Sequence, residues 1–535
     1  MVWYCIGMAL GGQLLERLDP EVRRYIGELE QSNRKLKLQY EALEEEYRLA
    51  MLKRFARSSE QIPHGQGSLF DIPEPSNGDS ESSDSEEKII VSGYEKNKPG
   101  RRGIDPKHPR YDVVHDIPEE EKLCACGHEL ERIGEEVTEQ IQVIPEQVWV
   151  ERHIRPEYAC HYCEGSGDEE RPAVRIAPVP KTILPRSIAS VSLIAFILIN
   201  KFVDHLPFYR QEKRFERIGI DISRQDMSNW TMAVAKVVEP LIDRFRELIR
   251  AGPFVQIDET PVQVLREPER KNTSKSYMWL ARGGPPETPV TLYHYTPTRS
   301  AEYPRELLAR FSGYMQADAY RVYQRLEAEC ADIVRVGCFA HVRRKFHDAA
   351  QASKKSGAAH EGIKHIAALY RIERALRAEN LPDEEFVRKR RELAEPVLER
   401  FHKWLVEKQQ SVVPSTLLGK AVTYALSEWE ALIRYLDHAY ITPDNNAAER
   451  GIRPFVLGRR NWLFAGSPRG ANASCTIYSL IETAKEYGLD PFAYLHYVFA
   501  RAPHVSSDED WDALLPCNLD PEEIKQAFPE PPKSL

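Results

Sequence analysis

At 535 residues the chain is too long for one hydrophobic core, and three or more domains are expected. The net charge of −9 seems to disfavour a nucleic-acid partner, but the acids are concentrated: residues 58–88 carry −7 and residues 508–535 carry −6, leaving +4 on the rest. Nine cysteines are too few for a disulfide scaffold, the apolar start lacks a basic flank, and the longest apolar run, 188–199, is too short to span a bilayer. A soluble, cytoplasmic protein is expected.

Leu15, Val22, Leu29, Leu36, Leu43 and Ala50 recur every seven residues, with Ile26, Asn33, Tyr40 and Tyr47 at the alternate position. This is an a/d seam, with Asn33 as a polar register device, and it predicts a coiled coil over 14–57 that joins copies of the chain into a homo-oligomer. Packing of the same helix on its own protein is the alternative. Residues 58–103 are rich in Ser, Pro, Gly and acid and read as a linker. In 104–180 two close pairs, Cys124 with Cys126 and Cys160 with Cys163, flank an alternating strand-like stretch. Four thiolates so arranged can close a tetrahedral structural zinc site, with His128 or His161 able to replace one of them.

Residues 181–250 read as helices. Within them a helix, a turn at Gly219 and a second helix capped by Ser223 or Asp221 resemble a helix-turn-helix, whose second helix would offer Arg224, Gln225 and Asn229 to DNA. After Gly252 the period changes to two: a buried strand leads to Asp258-Glu259-Thr260, SYMWLARGG and PVTLYHY follow as antiparallel partners, and GYMQADAYRVY gives a short strand ending at Asp318. A further strand and a helix start then carry the basic triplet Arg343, Arg344 and Lys345. The pattern predicts an α+β multidomain protein whose mixed α/β core spans 251–348 and 441–480. An all-helical insertion at 349–440 interrupts it, and a helical segment and tail occupy 481–535.

Residues 442–471 read TPDNNAAERGIRPFVLGRRNWLFAGSPRGA. A helix starting near the alanine pair places Glu449 and Arg453 on one face, with Arg450 pointing elsewhere. Arg459, Arg460 and Arg469 follow, interleaved with Trp462 and Phe464. A carboxylate among guanidinium groups and aromatics suits a metal ligand beside a phosphate backbone. Asp258, Asp318 and Glu449 together supply the hard oxygen ligands that a two-metal magnesium (or manganese) site needs, and Glu259 and Asp444 are rival acids. A solvated surface acid is the plain alternative for each.

The segments QIDETPVQV, MQADAYRVY, CFAHVRRKF and NNAAERGIRPFVLGRRNWLFAGSPRGA resemble the signature blocks of the insertion sequence 66 family of bacterial transposases. The coiled coil, the cysteine pairs and the LLPCNLDPEE tail match that layout. The resemblance implies a DDE transposase with a ribonuclease-H-like catalytic core that carries a helical insertion before the final acid. Asp258 and Asp318 would be its aspartates and Glu449 its glutamate, with His341 of the Cys338-x-x-His341 element beside the site. It implies double-stranded DNA as partner, both element ends and target. The basic residues Arg343, Arg344, Lys345, Arg450, Arg453, Arg459 and Arg460 are candidates to contact it, and Trp462 either stacks on an unpaired base or packs in the core. Small accessory proteins of the same element are further implied partners, and no membrane is. A non-catalytic DNA-binding regulator derived from such an element, or a ribonuclease-H-like nuclease without strand transfer, are the competing readings.

Overall fold

Helix α1 (Pro20–Phe55) realises the heptad stretch, with Glu21 in its first turn where the helix dipole favours an acid. It belongs to a computed structural model that describes residues 19–55, 88–91, 94–97, 148–159, 174–352 and 357–526. The chain divides into two units, one formed by 73–179 and the other by the remainder.

Among its described residues the smaller unit contains two strand pairs. Strands β1 (Lys88–Val91) and β2 (Tyr94–Asn97) form an antiparallel hairpin inside the stretch expected to be a linker. Strands β3 (Glu157–Ala159) and β4 (Val174–Ile176) pair antiparallel beside the second cysteine pair. Cys124, Cys126, Cys160, Cys163, His128 and His161 lie outside the described residues.

The larger unit opens with α2 (Val191–Phe202), whose first turn is capped by Ser190 accepting from the Leu193 amide at 3.1 Å. Helices α3 (Phe208–Arg217) and α4 (Arg224–Val237) follow, joined through Gly219 at φ +79°, a left-handed turn that glycine adopts without a Cβ penalty. Ser223, not Asp221, caps α4 by accepting from the Asp226 amide at 3.1 Å. The expected helix, glycine turn and helix are therefore present. Helix α5 (Glu239–Ala251) completes the region. It does not stand apart as a module, because Leu198, Phe202, Val234, Leu241 and Phe245 are buried in one core with the sheet.

That sheet has the order β7-β6-β5-β8-β9. Strands β5 (Phe254–Gln263), β6 (Lys275–Gly283) and β7 (Val290–Thr296) run antiparallel as successive hairpins. Helix α6 (Glu302–Leu307) leads to β8 (Gly313–Gln316), and α7 (Arg321–Glu329) to β9 (Ile333–Val336). Both β8 and β9 run parallel to β5, as strand-helix-strand connections require. Five strands in mixed directions match the mixed core expected from the change of period.

Helix α8 (Phe339–Ala352) leaves the sheet for α9 (Ala358–Ala378), α10 (Asp383–Ser411), α11 (Leu417–Ser427) and α12 (Trp429–Ile433). The insertion is helical throughout its described residues and has its own core of Phe346, Leu369, Phe401, Trp404, Val422 and Tyr435. At its centre Arg390 is fully buried: it donates to the carbonyls of Tyr435 and His438 at 2.5 and 2.9 Å and to Glu373 at 2.8 Å. A buried guanidinium is tolerated when its donors find partners; here both terminal nitrogens are paired, Nε is not, and the carbonyls come from the segment that returns to the sheet.

Helix α13 (Asn446–Trp462) carries the arginine-rich stretch, and α14 (Pro468–Glu486) runs across the expected boundary at 480 to cover β7. Strand β7 lies at the sheet edge, so its outward amides lack a strand partner. Buried α14 hydroxyls replace one: Thr483 Oγ1 accepts from the Thr291 amide at 3.0 Å and Ser479 Oγ from the Tyr293 amide at 2.8 Å. Helices α15 (Pro491–Arg501), α16 (Asp508–Asp512) and α17 (Pro521–Gln526) close the chain, and Leu495, Val498 and Phe499 enter the main core.

Helix α1 packs on this unit through buried Ala42 and Leu49, and Glu45 accepts from the Leu417 amide at 3.2 Å while Glu46 pairs with Lys420. Its heptad seam faces the other way: Leu29, Leu36, Tyr40, Leu43 and Tyr47 remain 51–69 % exposed. No described helix is long and apolar enough to cross a membrane.

Candidate active site

The site stands on two buried glutamines. Gln256 and Gln316 are the last paired residues of the parallel β5–β8 ladder, and Asp258 and Asp318 each lie two residues further on. Alternation along β5 puts Gln256 and Asp258 on one face. Gln256 Nε2 donates to Gln316 Oε1 at 2.8 Å and to the Asp444 carbonyl at 3.3 Å. Gln316 Nε2 donates to the carbonyls of Gly337 at 3.2 Å and Thr442 at 2.8 Å. One dry amide relay thus ties the two strands to the start of α8 and to the approach to α13.

Asn445 makes the next joint. Its side chain donates to the Ile257 carbonyl at 2.9 Å, its amide to Cys338 Sγ at 3.2 Å, and its carbonyl accepts from the Glu449 amide at 3.1 Å. The first turn of α13, which bears Glu449, is therefore fastened beside Asp258. Asp258 accepts from the Glu259 amide at 2.9 Å, and Asp318 from the Tyr320 amide at 2.9 Å in a turn that opens α7. Burial, reinforced by the negative charges of Glu259, Glu449 and Asp318, pushes the Asp258 carboxyl up to about 8. Asp258 therefore feels the charge of Asp318, 60 residues on, and of Glu449, a further 131 residues along the chain.

The rival acids have structural partners. Glu259 is held by Arg299 and by the Tyr323 hydroxyl, and Arg299 stacks on Tyr320 at 3.7 Å; burial still raises the Glu259 carboxyl. Asp444 accepts from the Asn446 amide at 3.0 Å and from its side chain at 2.8 Å. Burial raises Asp444 too, opposed by its hydrogen bond with Tyr370. His341 lies in the first turn of α8 with Nδ1 3.8 Å from Glu449 Oε1. Burial lowers its pKa, against the pull of Glu449.

The expected basic residues separate into groups. Arg344 donates to Glu449 Oε2 at 3.1 Å, so Glu449 pairs across the site with α8. Arg343 is 5 % exposed and lies by Tyr370, inside the protein. Lys345 sits over the Tyr424 ring at 4.6 Å. Arg450 and Arg460 are exposed and Arg453 is half-buried, while Arg459 donates to Thr260 at 3.2 Å and so reaches β5. Trp462 turns inward, edge-on to Phe455 at 5.4 Å. The ring presented to solvent is Phe464, 44 % exposed, beside Leu463 at 64 % and φ +65°. This tip is tied to the end of β5, because the Leu265 amide donates to the Ala465 carbonyl at 2.9 Å and the Ala465 amide to the Gln263 carbonyl at 3.0 Å.

Gln256, Gln316 and Asn445 were given no role from the sequence, and of the two aromatics named there the sequence reading put Trp462, not Phe464, at the DNA. A signal existed for the first two, since Gln-x-Asp occurs at 256–258 and again at 316–318.

The site's donors fit a divalent cation. They are hard carboxylate oxygens, burial and the neighbouring acids raise the Asp258 carboxyl, and Glu449 Oε1 is buried without a hydrogen-bond partner. Asp258, Asp318 and Glu449 would hold the cation after drawing closer, since their ligand atoms do not all lie within 4.8 Å of one another.

Residues 186–473 match the family model described as "Transposase IS66 family", residues 479–517 match "IS66 C-terminal element", and residues 121–164 match "zinc-finger binding domain of transposase IS66". The chain is 34 % identical over 440 residues to the uncharacterized protein y4jD of Sinorhizobium fredii, covering 79 % of this chain and 83 % of that one. It is 32 % identical over 436 residues to y4qI of the same organism, covering 79 % and 78 %.

Proposed function

Because the chain belongs to the IS66 family of transposases, we propose that it cleaves DNA at the ends of an insertion sequence and joins the freed 3′ ends to target DNA. The observation that carries this reading is the fastening of Asp258, Asp318 and the Glu449 turn to one another at the β5–β8 end of the sheet by the Gln256–Gln316 relay and Asn445. A magnesium or manganese pair held there would activate the attacking oxygen and stabilise the leaving one of an in-line displacement. The chain's own residues would hold and aim these groups. Asn445 keeps Glu449 against β5, the glutamine relay keeps the two aspartates level, and Arg344 holds the outer oxygen of Glu449. The sheet order, with two parallel strands added beside three antiparallel hairpin strands, supports the ribonuclease-H-like core that the resemblance implies.

Arg450, Arg453, Arg459 and Arg460 would position the phosphate backbone along α13. The finger and the α3–α4 pair would hold the terminal repeats. The exposed heptad seam of α1 supports self-association, since one side of the helix packs on the protein and the other keeps the a/d residues free for a second copy. Small accessory proteins of the element would assist, in the cytoplasm. Asp258→Ala tests the catalytic reading: end cleavage should disappear while binding to end DNA persists, and retained cleavage removes Asp258 from the site. Supplying pre-cleaved ends with target DNA distinguishes a transposase, which joins them, from a nuclease, which does not.

A further inference from the structure

Beside the carboxylates lies a second group of donors of different chemistry. Cys338 immediately precedes α8 and His341 is in its first turn, so the spacing of three sets both on one face of the helix start. Glu449 faces them from α13. One atom from each of Cys338, His341 and Glu449 lies within 4.8 Å of the others, and His341 Nδ1 and Glu449 Oε1 are 3.8 Å apart. Both of these atoms are buried without a hydrogen-bond partner. Among the described residues no other group of three or more histidine, cysteine and carboxylate ligands comes together in this way.

We propose that Cys338, His341 and Glu449 form a site for a zinc-class cation, and that filling it withholds Glu449 from the magnesium-bearing carboxylates and stops DNA cleavage. A thiolate, an imidazole and one carboxylate oxygen are the ligands of a borderline-soft ion and not of magnesium. With ligands at about 2.0–2.3 Å from zinc, the three atoms need to draw in by roughly an ångström, within side-chain rotation. The Asn445 amide already points at Sγ from 3.2 Å. Binding displaces one proton, from the Cys338 thiol to solvent, and leaves a fourth position for water. Arg344 holds Glu449 Oε2 and the ion would hold Oε1, so neither oxygen remains for the catalytic pair. The inhibitory half of the proposal rests on the DDE reading of Glu449; the binding half does not.

The test counts zinc per full-length chain after dialysis against a weak chelator. Wild type should hold two ions, Cys338→Ser one, and Cys160→Ser/Cys163→Ser one. Zinc X-ray absorption of the last, in which Cys338 is intact, should show one sulfur with nitrogen and oxygen ligands. A wild-type count of one, a count unchanged by Cys338→Ser, or absorption without sulfur overturns the site, and the absorption result stands even if Cys338→Ser misfolds. Zinc titrated into the magnesium-dependent cleavage reaction should inhibit wild type at least 10–100-fold more strongly than Cys338→Ser, the loss that even an outer-shell partner of a metal causes, with each chain normalised to its own zinc-free rate. Equal sensitivity overturns the inhibitory role. A wild-type chain that never cleaves in magnesium would instead refute the transposase reading and leave the zinc count untouched.

Discussion

Asp258→Asn preserves the size of the side chain and deletes the charge that its surroundings oppose. In the metal-free chain the folded state keeps the Asp258 proton up to about pH 8, whereas an unfolded aspartate releases it near ~3.9. Between these values the folded state binds more protons than the unfolded one, so stability from this group is full below ~pH 4, falls as pH rises, and levels off above about 8. At roughly 1.4 kcal/mol per unit the window sets an upper bound on the order of 5 kcal/mol, and relaxation with water entry should leave about 2–3 kcal/mol. The asparagine variant does not titrate, so its stability relative to wild type should grow by that amount between pH 4 and 8.5. Urea unfolding of both chains in metal-depleted buffer, followed by tryptophan fluorescence and expressed as a difference, cancels the other groups. Saturating magnesium at pH 8.5 should then close the gap, because the cation supplies wild type with the counter-charge it lacks. A gap that does not change with pH, or one that magnesium leaves untouched, would refute the coupling of Asp258 with Glu259, Glu449 and Asp318.

Asn445→Ala unfastens α13 from β5, and a misplacement of the order of 1 Å should lower single-turnover cleavage by about 10²-fold while DNA affinity stays near wild type; a matching loss of affinity would place Asn445 in binding instead. Trp462→Ala should act on the fold, costing about 3–5 kcal/mol and lowering the melting temperature. Phe464→Ala should spare stability and weaken DNA binding by about 1–3 kcal/mol if the ring stacks on a base, as fluorescence anisotropy would read. Ser479→Ala with Thr483→Val leaves two buried edge amides of β7 unpaired, at about 1–3 kcal/mol each, and thermal melts should show the loss.

Much of the site was readable because the relevant signals are local. Asp258 and Asp318 announced themselves by strand periodicity, and Glu449 by a helix crowded with arginines. The departures also have local causes. Trp462 follows Phe455 and Gly458 at spacings that return to the same side of α13, so it belongs to the core stripe, and the left-handed Leu463 then throws Phe464 outward. Arg343 shares a stripe with Phe339 and Phe346, whereas Arg344, about 100° around the helix, reaches the site. Helix phase would have separated Arg343 from Arg344, whereas Phe464 lies past the end of α13, where phase no longer applies.

What helix phase cannot supply is pairing across long chain separations. The Arg453 expected at the side of Glu449 satisfies the local spacing rule, yet Glu449 pairs with Arg344, 105 residues away. The insertion between the second and third acids reads from its sequence only as all-helical. Its buried Arg390 instead clamps the carbonyls of Tyr435, His438, Ala439 and Ile441, the strand of chain that delivers Asn445 and Glu449 to β5. Two cores packed on either side of that return segment leave α13 little freedom in where it begins. The third acid is therefore placed by the insertion as much as by its own helix, through a single guanidinium that nothing in the surrounding sequence marks as different from the other arginines of α10.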